Sequence, residues 1–206
     1  MIRIGIICPS EIAFRRFLPA LQKANNKVEF TAIGIASPQE WFGDLSNVPV
    51  EQIEELQSRE CAKAQTFIAQ YGGKIVVGYE ALISSEDIDA DYLPLPPALH
   101  FHWAQKALEA GKHVFLEKPS TTCLKDTDAL IRIASQKGLA LHENYMFIYH
   151  NQLETIQNIV QSGEIGDVRL YRISFGFPLR QMNDFRYNKK LGGGALLDAG
   201  GYCLKY

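Results

Sequence analysis

Apolar residues fall in short runs along the first two thirds of the chain, and between the runs they recur at helical spacing. "IRIGII" (2–7), ended by "CPS", reads as a strand and tight turn, and Ile12, Phe14, Phe17, Leu18 and Leu21 then mark one face of a helix. Pro19 falls inside that helix, where it removes a backbone bond and is expected to bend it. "VEFTAIGIA" (28–36) reads as a second strand, "SPQEWFGDLSNVP" (37–49) as a loop on its Pro, Gly, Asn and Ser content, and the acidic stretch Val50 to Tyr71 as a helix. After "KIVVGYEALISS" (74–85) comes a brief strand at Ala90 to Leu93, stopped by Pro94, Pro96 and Pro97. A helix from about Ala98 to Ala110 is closed by Gly111, "HVFLE" (113–117) is a strand, an amphipathic helix from Cys123 is closed by Gly138, and "LALHE" (139–143) is another strand. Short apolar strands alternating with helices predict an α/β fold, a parallel sheet covered on both faces.

From about Tyr145 the pattern changes. "HNQLETIQNIVQSGEIG" reads as a helix ending at Gly163. "DVRLYRISFGFPL" (167–179), with Arg169 and Arg172 interrupting apolar residues, reads as one long strand of a different sheet. A single apolar strand would expose both edges, so it must join the first sheet or pair with chain beyond this sequence. A polar stretch, "RQMNDFRYNKK", then leads into "LGGGALLDAGGYCLKY".

Composition narrows the partners. The 206 residues are 47% hydrophobic and 21% charged with net charge −2, a soluble globular balance without the clustered Lys and Arg that nucleic acid or an anionic membrane requires. No run approaches the roughly 18 apolar residues of a membrane span. Cys8, Cys61, Cys123 and Cys203 form no C-x-x-C pair, which fits a reducing, cytoplasmic setting. His100 and His102 are two apart and His113, His142 and His150 lack partners at ligand spacing, so no metal is expected.

Three places carry candidate chemistry. In "GIICPSEIA" (5–13), Cys8, Ser10 and Ala13 stand where the glycines of a G-x-G-x-x-G turn would stand. The segment serves either a dinucleotide or only the joining of strand to helix, with Ser10 as N-cap. In "GKHVFLEKPS", Glu117, Lys118 and Pro119 lie at the carboxyl end of a parallel strand, where α/β ligands gather; Lys118 is either a ligand contact or a surface lysine paired with Glu117. A cis bond before Pro119 would turn the lysine into a cleft. In "GGGALLDAGGY", Asp198 and Tyr202 stand four apart on one helix face, as a proton-transfer pair or as packing partners.

Taken in order, "IRIGII" with "RRFLPAL", "YLPLPPALH", "ALEAGKHVFLEKP", "HENYMFIYHNQ", "SGEIGDV" and "GGGALLDAGGY" resemble the Gfo/Idh/MocA family of NAD(P)-dependent oxidoreductases nearly end to end. The resemblance implies a Rossmann-type doubly wound domain over residues 1–144, followed at 145–206 by the start of an α/β domain with a mostly antiparallel sheet. It also implies hydride transfer between NAD(P) and a carbinol or keto carbon of a sugar, cyclic polyol or related compound. Lys118 matches the lysine of the family's E-K-P motif, Asp198 the acid of its D-x-G-x-H pattern, and Tyr202 falls where many members carry histidine; Lys118 is expected to lower the Tyr202 pKa. The cofactor would lie against Cys8, Pro9, Ser10, Glu11 and Ile12 of the first turn, Ser37, Leu95, Pro96, His100, Glu117 and Lys118.

This sequence also departs from the family pattern. Pro97 replaces a common Asn, and Ser37 stands where an NAD-selecting carboxylate would end the second strand, which leans the reading to NADP over NAD. The usual Arg after such a Ser is Pro38. Members continue well beyond the Asp motif, so the chain is expected to be a fragment or truncated product of a longer, homo-oligomeric oxidoreductase. The competing reading is a non-catalytic Rossmann-fold nucleotide-binding or interaction module.

Overall fold

The computed structural model describes residues 1–24 and 27–205. Six strands, β1 (Ile2–Ile7), β2 (Val28–Ile35), β3 (Lys74–Val77), β4 (Ala90–Leu93), β5 (His113–Glu117) and β6 (Leu141–Asn144), form one sheet in the order β3-β2-β1-β4-β5-β6. Every neighbouring pair is parallel. This is the doubly wound Rossmann order, and the direction of winding reverses between β1 and β4.

Alternation along the strands explains why both faces are covered. Ile6, Ile33 and Tyr92 project to one side, where Ala13, Leu18, Ala64 and Phe67 close the core. Ile7, Ala32, Leu93 and Leu116 project to the other, against Leu82, Trp103, Leu108 and Leu130. The covering helices are α1 (Leu18–Gln22) and α3 (Val50–Tyr71) on the first face, and α4 (Tyr79–Ile83), α5 (Pro97–Glu109) and α6 (Leu124–Lys137) on the second. Gly111 and Gly138 take positive φ just past α5 and α6. Among the described residues no helix is long and apolar enough to cross a membrane.

Two expectations are corrected, and a third takes a definite form. Pro19 does lie inside a helix, which runs from Glu11 to Gln22, and the turn before it, Ala13–Phe17, widens into a π-helix, which accommodates the proline's missing N–H. The stretch 37–49 is not all loop. Ser37 and Glu40 form a capping box that starts a short helix, α2 (Pro38–Phe42). The long strand expected over 167–179 is not formed; these residues pair with no strand and leave Leu170, Tyr171 and Leu179 exposed. Extended backbone becomes a strand only when a neighbour takes up its N–H and C=O groups, and none of the described residues does so. The helix α7 (Gln152–Ser162) ends at Gly163 in left-handed conformation, and the chain closes with a π-turn at Leu196–Gly200 and α8 (Gly201–Lys205).

Candidate active site

The carboxyl ends of β1, β4 and β5 open into a cleft of about 420 Å3, walled on its far side by residues 175–202. The turn after β1 holds Cys8 at φ +86°, a left-handed conformation that costs a non-glycine residue and that the first glycine of a dinucleotide turn supplies. Ser10 caps the helix that follows, its Oγ accepting from the amide of Ala13 at 3.2 Å. The Cys8 thiol packs inward beside Tyr79, and burial pushes its pKa up to about 11.

From β4 the chain runs through Pro94, Leu95 and Pro96 along the cleft wall. His100, one turn into α5, is fully buried. Its ring nitrogens lie 2.9 Å from the carbonyl of Pro119 and 2.8 Å from that of Leu95, so it ties the loop after β4 to the loop after β5. Burial holds its pKa below the ordinary value, with the two carbonyls opposing.

At the end of β5, Glu117 accepts from the Tyr92 hydroxyl at 2.6 Å and from the Asn144 amide at 2.8 Å. Lys118 comes next, before a cis peptide to Pro119. Its ammonium donates to both the carbonyl and Oδ1 of Asp198, each at 2.7 Å, and the two side chains are only 14% and 11% exposed. The same nitrogen stands 5.2 Å from the centre of the Tyr202 ring. The Tyr202 hydroxyl reaches the Met146 sulfur, at 3.8 Å.

The Tyr202 pKa runs opposite to expectation. Burial raises it, the Glu117 and Asp198 carboxylates raise it further, and Arg186 works against them. Lys118, although 5.2 Å from the ring centre, is not among the groups that lower it.

The cleft thus brings together Cys8, Ser10, Ile12, Leu95, Pro96, Glu117, Lys118, Asp198 and Tyr202. Pro9, Glu11, Ser37 and His100 do not line it. Glu11 pairs with Arg15 on the surface. Ser37 is consumed by its capping box, and His100 stands behind the wall with both nitrogens engaged. Sequence reasoning missed Arg186, which reaches Asp198 Oδ1 at 3.2 Å, and Phe175, Phe177 and Arg180 at the cleft wall. The charges of "NDFRYNKK" just before the glycine run were the available signal. Glu40 was missed too: its carboxylate accepts from the amides of Ser37, Tyr79 and Glu80, capping α2 and α4 together. Among the described residues no group of three His, Cys, Asp or Glu side chains gathers as a metal site.

Comparison with known proteins agrees with this arrangement. A family model described as an oxidoreductase family with an NAD-binding Rossmann fold matches residues 2–145, and one described as a GFO/IDH/MocA C-terminal domain matches 153–206. A dTDP-3,4-didehydro-2,6-dideoxy-alpha-D-glucose 3-reductase of Saccharopolyspora spinosa is 40% identical over 98% of this chain and 53% of its own length. A crystal structure of a 3-ketoreductase from Actinomadura kijaniata in complex with NADP and TDP-benzene superposes with a TM-score of 0.81 at 39% identity, over 98% of this chain and 55% of that one. A trans-1,2-dihydrobenzene-1,2-diol dehydrogenase of Xenopus laevis is 31% identical over 79% of this chain and 50% of its own. The chain spans about half the length of the curated relatives it matches. It belongs to the Gfo/Idh/MocA family of oxidoreductases.

Proposed function

We propose that the protein is an NADP-dependent reductase that delivers hydride to a keto carbon of a nucleotide-linked sugar, and that this chain carries its cofactor-binding and proton-handling residues. The observation that carries the reading is the Lys118–Asp198 pair, buried at the carboxyl edge of a parallel sheet beside the point where its winding reverses. The first turn suits a dinucleotide: Cys8 adopts the backbone conformation of the missing glycine, and the helix beginning at Glu11 points its first amides toward the cleft end of β1. The S. spinosa and A. kijaniata relatives, a dTDP-sugar 3-reductase and an NADP-bound 3-ketoreductase, supply the substrate class and the cofactor.

The preference for NADP has a local argument. Selection for NAD uses a carboxylate after the second strand to hold the ribose 2′-hydroxyl. Here the first carboxylate after β2 is Glu40, and three backbone amides already engage it.

When bound, the nicotinamide supplies the hydride. The chain's own residues do the rest. Lys118 has three N–H donors; two are directed at Asp198, and the third is available for the carbonyl oxygen of the substrate. That hydrogen bond strengthens as negative charge builds on the oxygen, and so favours the transition state over the ground state. Tyr202, over whose ring the Lys118 ammonium stands, hands its proton to the same oxygen. Its raised pKa makes it a weaker acid than a free phenol, so the transfer relies on the basicity that the oxygen gains as hydride arrives. Phe175, Phe177 and Arg180, whose guanidinium sits 5.0 Å from the Phe177 ring centre, offer an aromatic and cationic wall suited to a nucleoside diphosphate.

The test has two parts. Fluorescence titration with NADPH and NADH should give tight binding of NADPH and weaker binding of NADH. Mixing the NADPH complex with a panel of dTDP-linked keto sugars should consume absorbance at the nicotinamide band. Failure to bind either cofactor sinks the dehydrogenase reading, whereas binding without turnover of any keto sugar leaves a nucleotide-binding module.

A further inference from the structure

Among the described residues, Arg186 is the one cation at the cleft that shares an anion with Lys118. Both donate to Oδ1 of Asp198, Lys118 at 2.7 Å and Arg186 through Nε at 3.2 Å. The other edge of the Arg186 guanidinium holds Asp184, with Nη1 at 3.1 and 3.3 Å from its two oxygens. Lys118, Asp198, Arg186 and Asp184 therefore form a row of alternating charge running from the reacting lysine outward.

The glycine run before Asp198 is what makes the row possible. The amide of Gly194 donates to the carbonyl of Arg186 at 2.9 Å, and the amide of Asp198 donates to the carbonyl of Gly194 at 2.9 Å. Two backbone bonds thus fix residue 186 relative to residue 198. A Cβ on Gly193 would lie 2.5 Å from the Arg186 carbonyl oxygen and 2.6 Å from that of Phe185, so only glycine lets the chain close here.

We propose that Arg186 is a positioning residue: it fixes the carboxylate of Asp198, and through that carboxylate it aims the free N–H of Lys118 at the reacting oxygen. The role rests on the reductase reading. A carboxylate held by one ammonium can swing about its side-chain torsions and carry the ammonium with it. A planar guanidinium anchored at its other edge by Asp184 removes that freedom, and lysine, a point donor on a flexible stem, cannot span both acids.

The test compares Arg186→Ala, Arg186→Lys and Asp184→Asn with wild type in the purified protein. Misplacing a reacting group by about 1 Å costs about 100-fold, so kcat with NADPH and a dTDP-linked keto sugar should fall about 10- to 100-fold in Arg186→Ala, with NADPH affinity within about twofold. Arg186→Lys should recover only part of the loss, Asp184→Asn should lose less than Arg186→Ala, and added guanidinium ion should restore part of the Arg186→Ala rate. Without cofactor, the amide resonances of Lys118 and Asp198 should shift in Arg186→Ala, a readout independent of turnover. Unchanged kcat in Arg186→Ala overturns the proposal. So does a loss that guanidinium cannot rescue and that follows a lowered unfolding midpoint in all three variants. If wild type itself reduces no keto sugar, it is the reductase reading that fails, while the resonance shifts still report on the row.

Discussion

Asp91 lies in the middle of β4, fully buried, and neither of its carboxylate oxygens has a hydrogen-bond partner among the described residues. Its side chain fills the space over Gly5 on the neighbouring strand, where a Cβ would come within 2.9 Å of Oδ1. Burial pushes its pKa up to about 7, with Lys112 opposing. In the unfolded chain the group titrates near 3.9, so the gap corresponds to about 4 kcal/mol of stability. The sign follows from which state holds the proton. The folded carboxyl keeps it longer, so this stability is complete below about pH 4 and drains away as pH rises through about 7. Asp91→Asn keeps the shape and cannot ionise. In urea unfolding followed by tryptophan fluorescence, with Trp103 buried in the core as reporter, Asp91→Asn should gain on wild type by most of that amount between pH 4 and pH 8. Parallel pH profiles for the two proteins, or a carboxyl 13C titration placing Asp91 below pH 5, would refute the reasoning.

Other consequences are as direct. The Cys8 thiol, held near 11 by burial, should react with a maleimide at pH 7.5 at least about 100-fold more slowly than the exposed Cys123, as peptide mapping would read; equal labelling would contradict its placement. Glu40→Ala removes the carboxylate that caps α2 and α4 and should cost about 1–3 kcal/mol in denaturant unfolding, against under 0.5 kcal/mol for loss of a surface charge. Gly193→Ala should push the Arg186 backbone away and cut turnover by at least about tenfold while NADPH titrates as in wild type; full turnover would mean that the glycine run has no part in the site.

The parallel sheet was legible because its strands are written as apolar runs whose two faces are both buried; Ile6 and Ile7 are each fully buried, on opposite sides. Helix ends were legible where glycine takes positive φ, as at Gly138 and Gly163. The capping box was written in the sequence as Ser37 and Glu40 three apart, yet Pro, Gly and Asn around it gave the stronger loop signal. The π-helix at Ala13–Phe17 was hidden because Pro19 announces a break but not its form. Lys118, Asp198 and Tyr202 stood out through local motifs, whereas Arg186 acquires its place only when residues 186 and 194 meet. His100 was expected at the cofactor through the family resemblance of "YLPLPPALH"; in the fold its buried ring braces the two loops from behind the cleft wall.

Single-turnover oxidation of bound NADPH by a dTDP-linked keto sugar, in wild type and Lys118→Ala, bears most directly on the claim that this cleft is the site of reduction. Loss of the Lys118 hydrogen bond should slow hydride transfer by at least about 100-fold, with NADPH affinity within about threefold. An unchanged rate in Lys118→Ala would take the Lys118–Asp198 pair out of the chemistry and contradict the account.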